Sequence, residues 1–312
     1  MRKTKRNIIR LSALSAAVLA LGLTGKVHAD AYTFSWGDVS LSVFNIDQNR
    51  LVDVNDFSSI VAQNTSSTRA DLLSVGGIDT NSSLISADSP LSCQGGACGG
   101  IGENFFGQVA AGHFARSDTG ASGALITGLA NTPPANVDVL SEIRLSNNDL
   151  AQTDAQASNN TGFTFTLPQG INVRFDLSAD TFTQSLLTAD AIVPPSIVGS
   201  NHTWEMTLLQ GSTTIFNWSP DGQAGGITGG TEISDGIDLT FGSTVSTPGA
   251  DTGLLANSGT AQASVFLPAG SYTFRVAQFT SANAAFVPEP GILGLMGLGF
   301  LMLGFSRNRK KA

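Results

Sequence analysis

The sequence predicts a mostly β protein, an antiparallel β-sandwich. Three observations carry this expectation. Apolar and polar residues alternate along several stretches, the period of a half-buried strand. Pro and Gly punctuate those stretches where turns are needed. Charged residues are only 13% of the 312-residue chain, and Gly contributes 35 positions. A typical soluble domain has about 25% charge and ~7% Gly. Apolar content of 41% is enough for a core and excludes wholesale disorder.

The first element precedes the sandwich. Residues 1–10 read MRKTKRNIIR, with Arg2, Lys3, Lys5, Arg6 and Arg10. An apolar stretch from Leu11 to Gly25 follows, and then KVHADA. Val27 with Ala29, and Ala29 with Ala31, fit the small-residue rule for a cleavage site. Residues 1–31 are therefore expected to be a signal peptide, read by the Sec export machinery and signal peptidase.

The domain expected over 32–286 opens with Tyr32, Phe34 and Trp36 on one face. After Gly37-Asp38 the apolar positions become Val39, Leu41 and Val43, which predicts a bulge or bend. Next comes FNIDQNRLVDVNDF, with Asp47, Asn49, Asp53, Asn55 and Asp56. Hard oxygen ligands at such spacing suit calcium. An EF-hand would need an acid at Leu51, Gly at Val52 and Glu at Ser58, so that loop type is rejected. A looser calcium loop is the one metal candidate, and no other cofactor is expected.

Residues 62–136 are rich in Ser, Asn, Thr, Ala and Gly, and read as loops with short strands. Cys93 and Cys98 lie within them in SCQGGACGG. Export implies an oxidising compartment, so a disulfide is the default. A redox pair would prefer Cys-x-x-Cys. Val137 to Ala157 is the one stretch that favours a substantial helix, weakened by Asn147-Asn148.

The second half reads more plainly. Phe163, Phe165 and Leu167 alternate up to Pro168-Gln169-Gly170, and Ile171, Val173, Phe175 and Leu177 alternate beyond it. Trp204, Met206 and Leu208 mark a strand, as do Phe216 with Trp218, and Ile237, Leu239 and Phe241. Val265 and Leu267 lead into Pro268-Ala269-Gly270, followed by Tyr272, Phe274 and Val276. The two Pro-x-Gly segments predict two similar hairpins. The closing LPAGSYTFRV resembles the last strands of jelly-roll domains such as bacterial pre-peptidase C-terminal domains. That resemblance implies a jelly-roll-like sandwich. Trp36, Trp204 and Trp218 all fit strand alternation, so they are expected in the core rather than in an exposed sugar-binding row.

Catalytic chemistry finds little support. His113 lies near Ser117 and Asp118, but adjacency in sequence is not triad geometry, and no Gly-x-Ser-x-Gly elbow is present. His202 is expected at the start of a strand. Two isolated His and two bridged Cys do not supply a catalytic zinc site. The sequence thus predicts no catalytic residues.

The last element is a second three-part signal. Val287-Pro288-Glu289-Pro290 opens it, and 15 uncharged, mostly apolar residues run from Gly291 to Phe305. Arg307, Arg309, Lys310 and Lys311 close it. At 1.5 Å per residue such a helix spans about 22 Å, short of a ~30 Å hydrocarbon core. Basic residues after an apolar run stay cytoplasmic, so 291–305 would hold the chain transiently at the inner membrane. The two prolines keep the preceding backbone extended and open to a protease.

Residues 287–312 resemble the PEP-CTERM sorting signal. Exosortase-type membrane transpeptidases recognise that signal in Gram-negative bacteria that also make exopolysaccharide. The resemblance implies a cut near Pro288–Pro290 and delivery to the cell surface or extracellular matrix. It also implies a structural or adhesive role in a biofilm or exopolysaccharide matrix. A carbohydrate-binding sandwich with polysaccharide as ligand is the alternative, and a secreted hydrolase comes third.

The stretch from Tyr32 to Val287 is strongly acidic. It keeps six basic residues, Arg50, Arg69, Arg116, Arg144, Arg174 and Arg275, against 22 Asp and Glu, a net charge of about −16. All five lysines lie in the two ends. Such a chain repels nucleic acid and anionic membranes.

Overall fold

The computed structural model describes residues 31–72, 75–83, 88–128, 133–145, 152–188 and 196–286. The expected signal peptide up to Asp30 and the expected apolar helix of the sorting segment lie outside them. The described chain is mostly antiparallel β, in two eight-stranded sheets.

The first sheet runs β13 (Thr231–Asp235), β15 (Leu255–Leu267), β9 (Ile171–Leu187), β1 (Ala31–Asn45), β7 (Ala135–Leu145), β6 (Phe114–Ser122) and β5 (Ser92–Gly95), with β2 (Arg50–Leu51) on β1. The second runs β12 (Ile227–Thr228), β11 (Thr213–Trp218), β10 (Ser196–Gln210), β16 (Gly270–Phe286), β8 (Gln152–Leu167), β3 (Ser59–Leu72) and β4 (Val75–Ser83), with β14 (Phe241–Val245) on β10.

The sheets face each other across one large apolar core. Phe163, Phe175, Phe274, Trp204 and Trp218 dominate it. The Phe163 and Phe274 rings stack with centroids 4.7 Å apart, and Trp204 meets Trp218 edge-on at 5.7 Å. A second, smaller apolar cluster of Ile143, Leu145, Leu187 and Val198 closes the far end.

Between the two clusters the interior is polar. Buried Ser35, Ser117, Ser141, Ser185, Ser200, His202, Gln278 and Thr280 lie there. Their hydrogen bonds tie one sheet to the other. Ser35 Oγ donates to the Asn201 carbonyl at 2.8 Å, and Ser117 Oγ donates to the Arg69 carbonyl at 2.9 Å. Ser141 Oγ reaches the Thr280 carbonyl at 3.1 Å. Gln278 Nε2 donates to the Gly37 carbonyl at 2.9 Å. Buried polar groups are tolerable because most of them find a partner, although Gln278 Oε1 has none among the described residues.

Several expectations change here. Gly37 marks no bulge. The pairing of β1 with β7 runs unbroken from Ala31–Leu145 to Leu41–Ala135. The apolar face switches because this sheet is buried on both sides. Tyr32, Phe34 and Leu140 point outward and are covered by Phe106, Phe182 and Leu254. Gly37 itself points inward, where a Cβ would lie 2.3 Å from His202 Nε2.

The two Pro-x-Gly segments are not hairpins. Each carries the chain from one sheet to the other, β8 to β9 and β15 to β16. The partners pair crosswise, β8 with β16 and β9 with β15, so the corners sit side by side. Tyr272 Oη donates to the Pro268 carbonyl at 2.7 Å and fastens the second corner. A turn signal alone reports a change of direction, not which sheet receives the next strand.

Val137–Ala157 holds no helix among its described residues. They belong to β7 and β8. β7 shows no alternation because both its faces are buried from Val139 to Leu145, which hides the strand period. Residues 62–136 contain β4, β5, β6 and most of β3. From Ala62 to Ala70 the inward side of β3 is Ala62, Asn64, Ser66, Thr68 and Ala70, too small and polar to register as apolar alternation. Residues 101–112 do form an irregular segment, laid over the outer face of the first sheet.

Candidate functional site

The proposed calcium residues fall in the turn after β1 and the short 3-10 helix Val54–Asp56. Asp47 accepts from the Asn172 backbone N–H at 2.7 Å and from Asn172 Nδ2 at 2.9 Å. This holds its carboxyl below the usual range. Asn49 adopts φ 52° in the turn. Asp53 caps the 3-10 helix, and the Asp56 side chain accepts from the Asp53 N–H in return. Asn55 Nδ2 donates to Asp53, and Arg50 pairs with both oxygens of Asp56. The sequence thus brings Asp53, Asn55 and Asp56 together as a capping motif. Among the described residues, no group of three or more His, Cys, Asp or Glu is placed to hold a metal ion.

Cys93 and Cys98 are joined by a disulfide. It closes the loop between β5 and the irregular segment. Ser117 and Asp118 alternate on β6, so they point to opposite faces: Ser117 into the core, Asp118 toward the Asn104 N–H at 2.8 Å. His113 precedes the strand. The three do not converge. His202 is in mid-strand, not at its start. It is fully buried, with Nδ1 2.9 Å from the Leu239 carbonyl. Burial drops its pKa to about 4, so the ring is neutral. Trp204 and Trp218 are in the core, whereas Trp36 is half-buried on the outer face. It stacks on Phe182 at 5.1 Å and donates from Nε1 to Asp138 at 3.2 Å.

The outer face of the first sheet is acidic. Asp38 lies directly opposite Asp138 on one neighbouring strand and Asp180 on the other. Burial, then the Asp180 charge, pushes Asp38 up to about 6. Burial, then Asp38, pushes Asp138 up to about 7. Burial, then Glu103, pushes Asp118 up to about 7.

These raised values have a sign. The folded chain holds protons that the unfolded chain releases above about pH 4. The stability they contribute is full below that pH and is lost as pH climbs through 6–7. His202 acts oppositely: its contribution is present above about pH 6.5 and lost as pH falls toward 4. The difference between a variant and wild type isolates the carboxyl. Asp138→Asn keeps an acceptor for Trp36 and removes the charge. We expect it to be more stable than wild type at pH 8 by on the order of 1–2 kcal/mol. The gain should shrink as pH falls and vanish below about pH 4. Urea denaturation at the two pH values checks it, and equal gains at both would refute the assignment.

The second sheet's outer face has a different character. It carries a groove of about 550 Å³ across β3, β8, β16 and β10. Strand pairing sets its rows. Gly162 lies opposite Arg275, and Arg275 opposite Thr207. One row over, Thr65, Asn160, Ala277 and Glu205 align. Thr164 and Thr273 align on the other side. Inward-pointing Phe163, Phe274 and Val276 back this floor and keep it rigid. The exposed floor carries threonine hydroxyls, the Asn160 amide, the Glu205 carboxylate and the apolar Val61 and Ala277, with Arg275 beside the bare Gly162. Glu205 accepts from Asn217 Nδ2.

Five of the six described arginines are engaged. Arg50 pairs with Asp56, Arg69 with Asp71 and Asp154, Arg116 with Glu142, and Arg174 with Asp176. The Arg144 guanidinium stacks over the Tyr32 ring at 4.2 Å. Arg275 is exposed and has no carboxylate within ion-pair distance among the described residues. Sequence reasoning did not single it out. Its signal was the outward position in the Tyr272, Phe274, Val276 alternation, but its neighbours depend on pairing.

Among known proteins, the model of the PEP-CTERM protein-sorting motif matches residues 286–310. This chain carries a PEP-CTERM sorting motif. The PEP-CTERM match begins where β16 ends, at Phe286. The motif marks an exported protein that passes through the membrane and is processed there by exosortase. No curated relative matches the chain. Among solved structures, the infectious bursal disease virus VP2 subviral particle aligns over 94% of each chain, at 10% identity and a TM-score of 0.11. So low a score carries no argument about the fold.

Proposed function

We propose that this protein is delivered to the cell surface or extracellular matrix as an acidic β-sandwich with a structural or adhesive role. The observation that carries this is the junction at Phe286. The last strand pairs along its length, with Ser196–Phe286 as its final pair, and the sorting motif starts there. A cut near Pro288–Pro290 would therefore release a complete domain. The two adjoining corners support a jelly-roll-like form of the sandwich. Ser117 and Asp118, pointing to opposite faces of β6, support a role without catalysis.

The N-terminus supports one cleavage site over the other. Ala31 is buried and pairs with Leu145 and Leu187. Cleavage after Ala29 leaves that pairing intact, and cleavage after Ala31 removes it. Intact mass of the protein from its host, with and without the exosortase, tests the reading. We expect a chain starting at Asp30 and ending near Pro288–Pro290, found outside the cell. The tail should be retained when the enzyme is deleted. A tail retained in both strains would leave a membrane-anchored domain and end the proposal.

A second reading is that the domain binds polysaccharide. The groove favours it. Its floor presents hydroxyl and amide groups at strand spacing over a rigid backing, which suits a hydroxyl-rich polymer.

A further inference from the structure

The geometry points to a carboxylate-bearing polysaccharide as the occupant of this groove, with Arg275 pairing a uronate carboxylate. The inference rests on the polysaccharide-binding reading and adds the ligand's charge and the residue that reads it.

The first argument is charge. Acids outnumber arginines by 22 to six between Tyr32 and Val287. In such a surplus an arginine readily finds a carboxylate, and four of the other five have done so. Arg275 stands apart in the middle of the groove. Its direct neighbours across the strands are Gly162 and Thr207, neither of which can neutralise it. The groove's one acid, Glu205, is held by Asn217. A guanidinium offers a planar fork of donors that matches a carboxylate in two-point contact. Gly162, directly opposite on β8, carries no side chain of its own beside that fork.

The second argument is the shape of the floor. A peptide strand docks best on a sheet edge, where main-chain groups are free. Here the edge strand β4 abuts β5 of the other sheet, and β12 abuts β13. The groove lies on a sheet face, where only side chains are offered. A peptide held there needs apolar pockets, and the exposed floor offers Val61 alone among large apolar residues. Threonine hydroxyls and Asn160 suit sugar hydroxyls instead.

Isothermal titration of the full-length protein in mild detergent tests this. Polygalacturonate, its methyl-esterified form and polyglutamate are the ligands, in EDTA to exclude calcium bridging by the acidic face. Arg275→Ala is compared with Arg174→Ala, the same charge change on the opposite sheet. We expect wild type to bind polygalacturonate at least tenfold more tightly than the ester. Arg275→Ala should fall to the level of the ester, and Arg174→Ala should match wild type. Equal binding of both polymers, unaffected by Arg275→Ala, would keep the polysaccharide reading and overturn the carboxylate inference. No binding of either polymer would overturn both. Equal losses in the two variants would point to overall charge and overturn the pairing. Equal affinity for polyglutamate would make the occupant an acidic peptide and overturn it as well.

Discussion

Arg116→Ala should destabilise the protein by about 3–5 kcal/mol, the cost of leaving a buried partner charge unpaired. Arg116 and Glu142 face each other on β6 and β7, and both side chains have 0% exposure. Arg116 Nε donates to Glu142 Oε2 at 2.7 Å. The other Glu142 oxygen accepts from Tyr32 Oη and from the Val109 N–H, each at 3.0 Å. Arg116 also donates to the carbonyls of Phe105 and Gly107. The ion pair therefore fastens the irregular segment 101–112 over the first sheet.

Burial pushes the Glu142 carboxyl up, and the Arg116 charge holds it down. Removing the arginine leaves burial unopposed. Two measurements check this. Thermal unfolding should shift down by on the order of 10 °C for a domain of this size. Limited proteolysis should cut near Phe105–Val109 before the strands are touched. A shift without early cutting there would mean that the pair supports the sheet rather than its cover.

Gly37→Ala should cost about 2–3 kcal/mol, at the upper end of overpacking effects. The added Cβ would meet His202 Nε2 at 2.3 Å, His202 Cδ2 at 2.7 Å and Gln278 Nε2 at 3.0 Å. None of these has room to retreat. His202 is anchored to the Leu239 carbonyl and Gln278 to the Gly37 carbonyl, in the polar layer that joins the sheets. Moving the ring leaves buried polar groups unpaired, which adds to the steric cost. Urea unfolding of the variant checks the size. Combining it with His202→Ala should recover part of the loss if the ring is the obstacle. No recovery would place the strain in the backbone.

Both effects concern residues whose roles were closed to sequence reading. In sequence Arg116 is one arginine among six, and Gly37 reads as a bulge. The strands themselves were legible wherever one face meets the apolar core. Phe163 to Leu167 and Tyr272 to Val276 alternate because their outer face is wet. β7 reads as helix because its outer face is covered. From Ala62 to Ala70 β3 reads as loop because its inner face there is Ser, Asn, Thr and Ala. Hydropathy reports burial only when burial and apolarity coincide, and the polar layer breaks that link. The groove was invisible for a related reason. Arg275, Gly162 and Thr207 are far apart in the chain and meet only through pairing register.

The sequence by itself determined the β class, the turns at Pro168–Gly170 and Pro268–Gly270, and the sorting motif. Each of these is local: a period, a turn residue or a contiguous signal. Only the tertiary structure decided that the corners cross between sheets, that a polar layer joins those sheets, and that one unpaired arginine sits in a groove. Those depend on which strands lie side by side. Strand order is set by packing summed over the whole chain, and no short stretch encodes it.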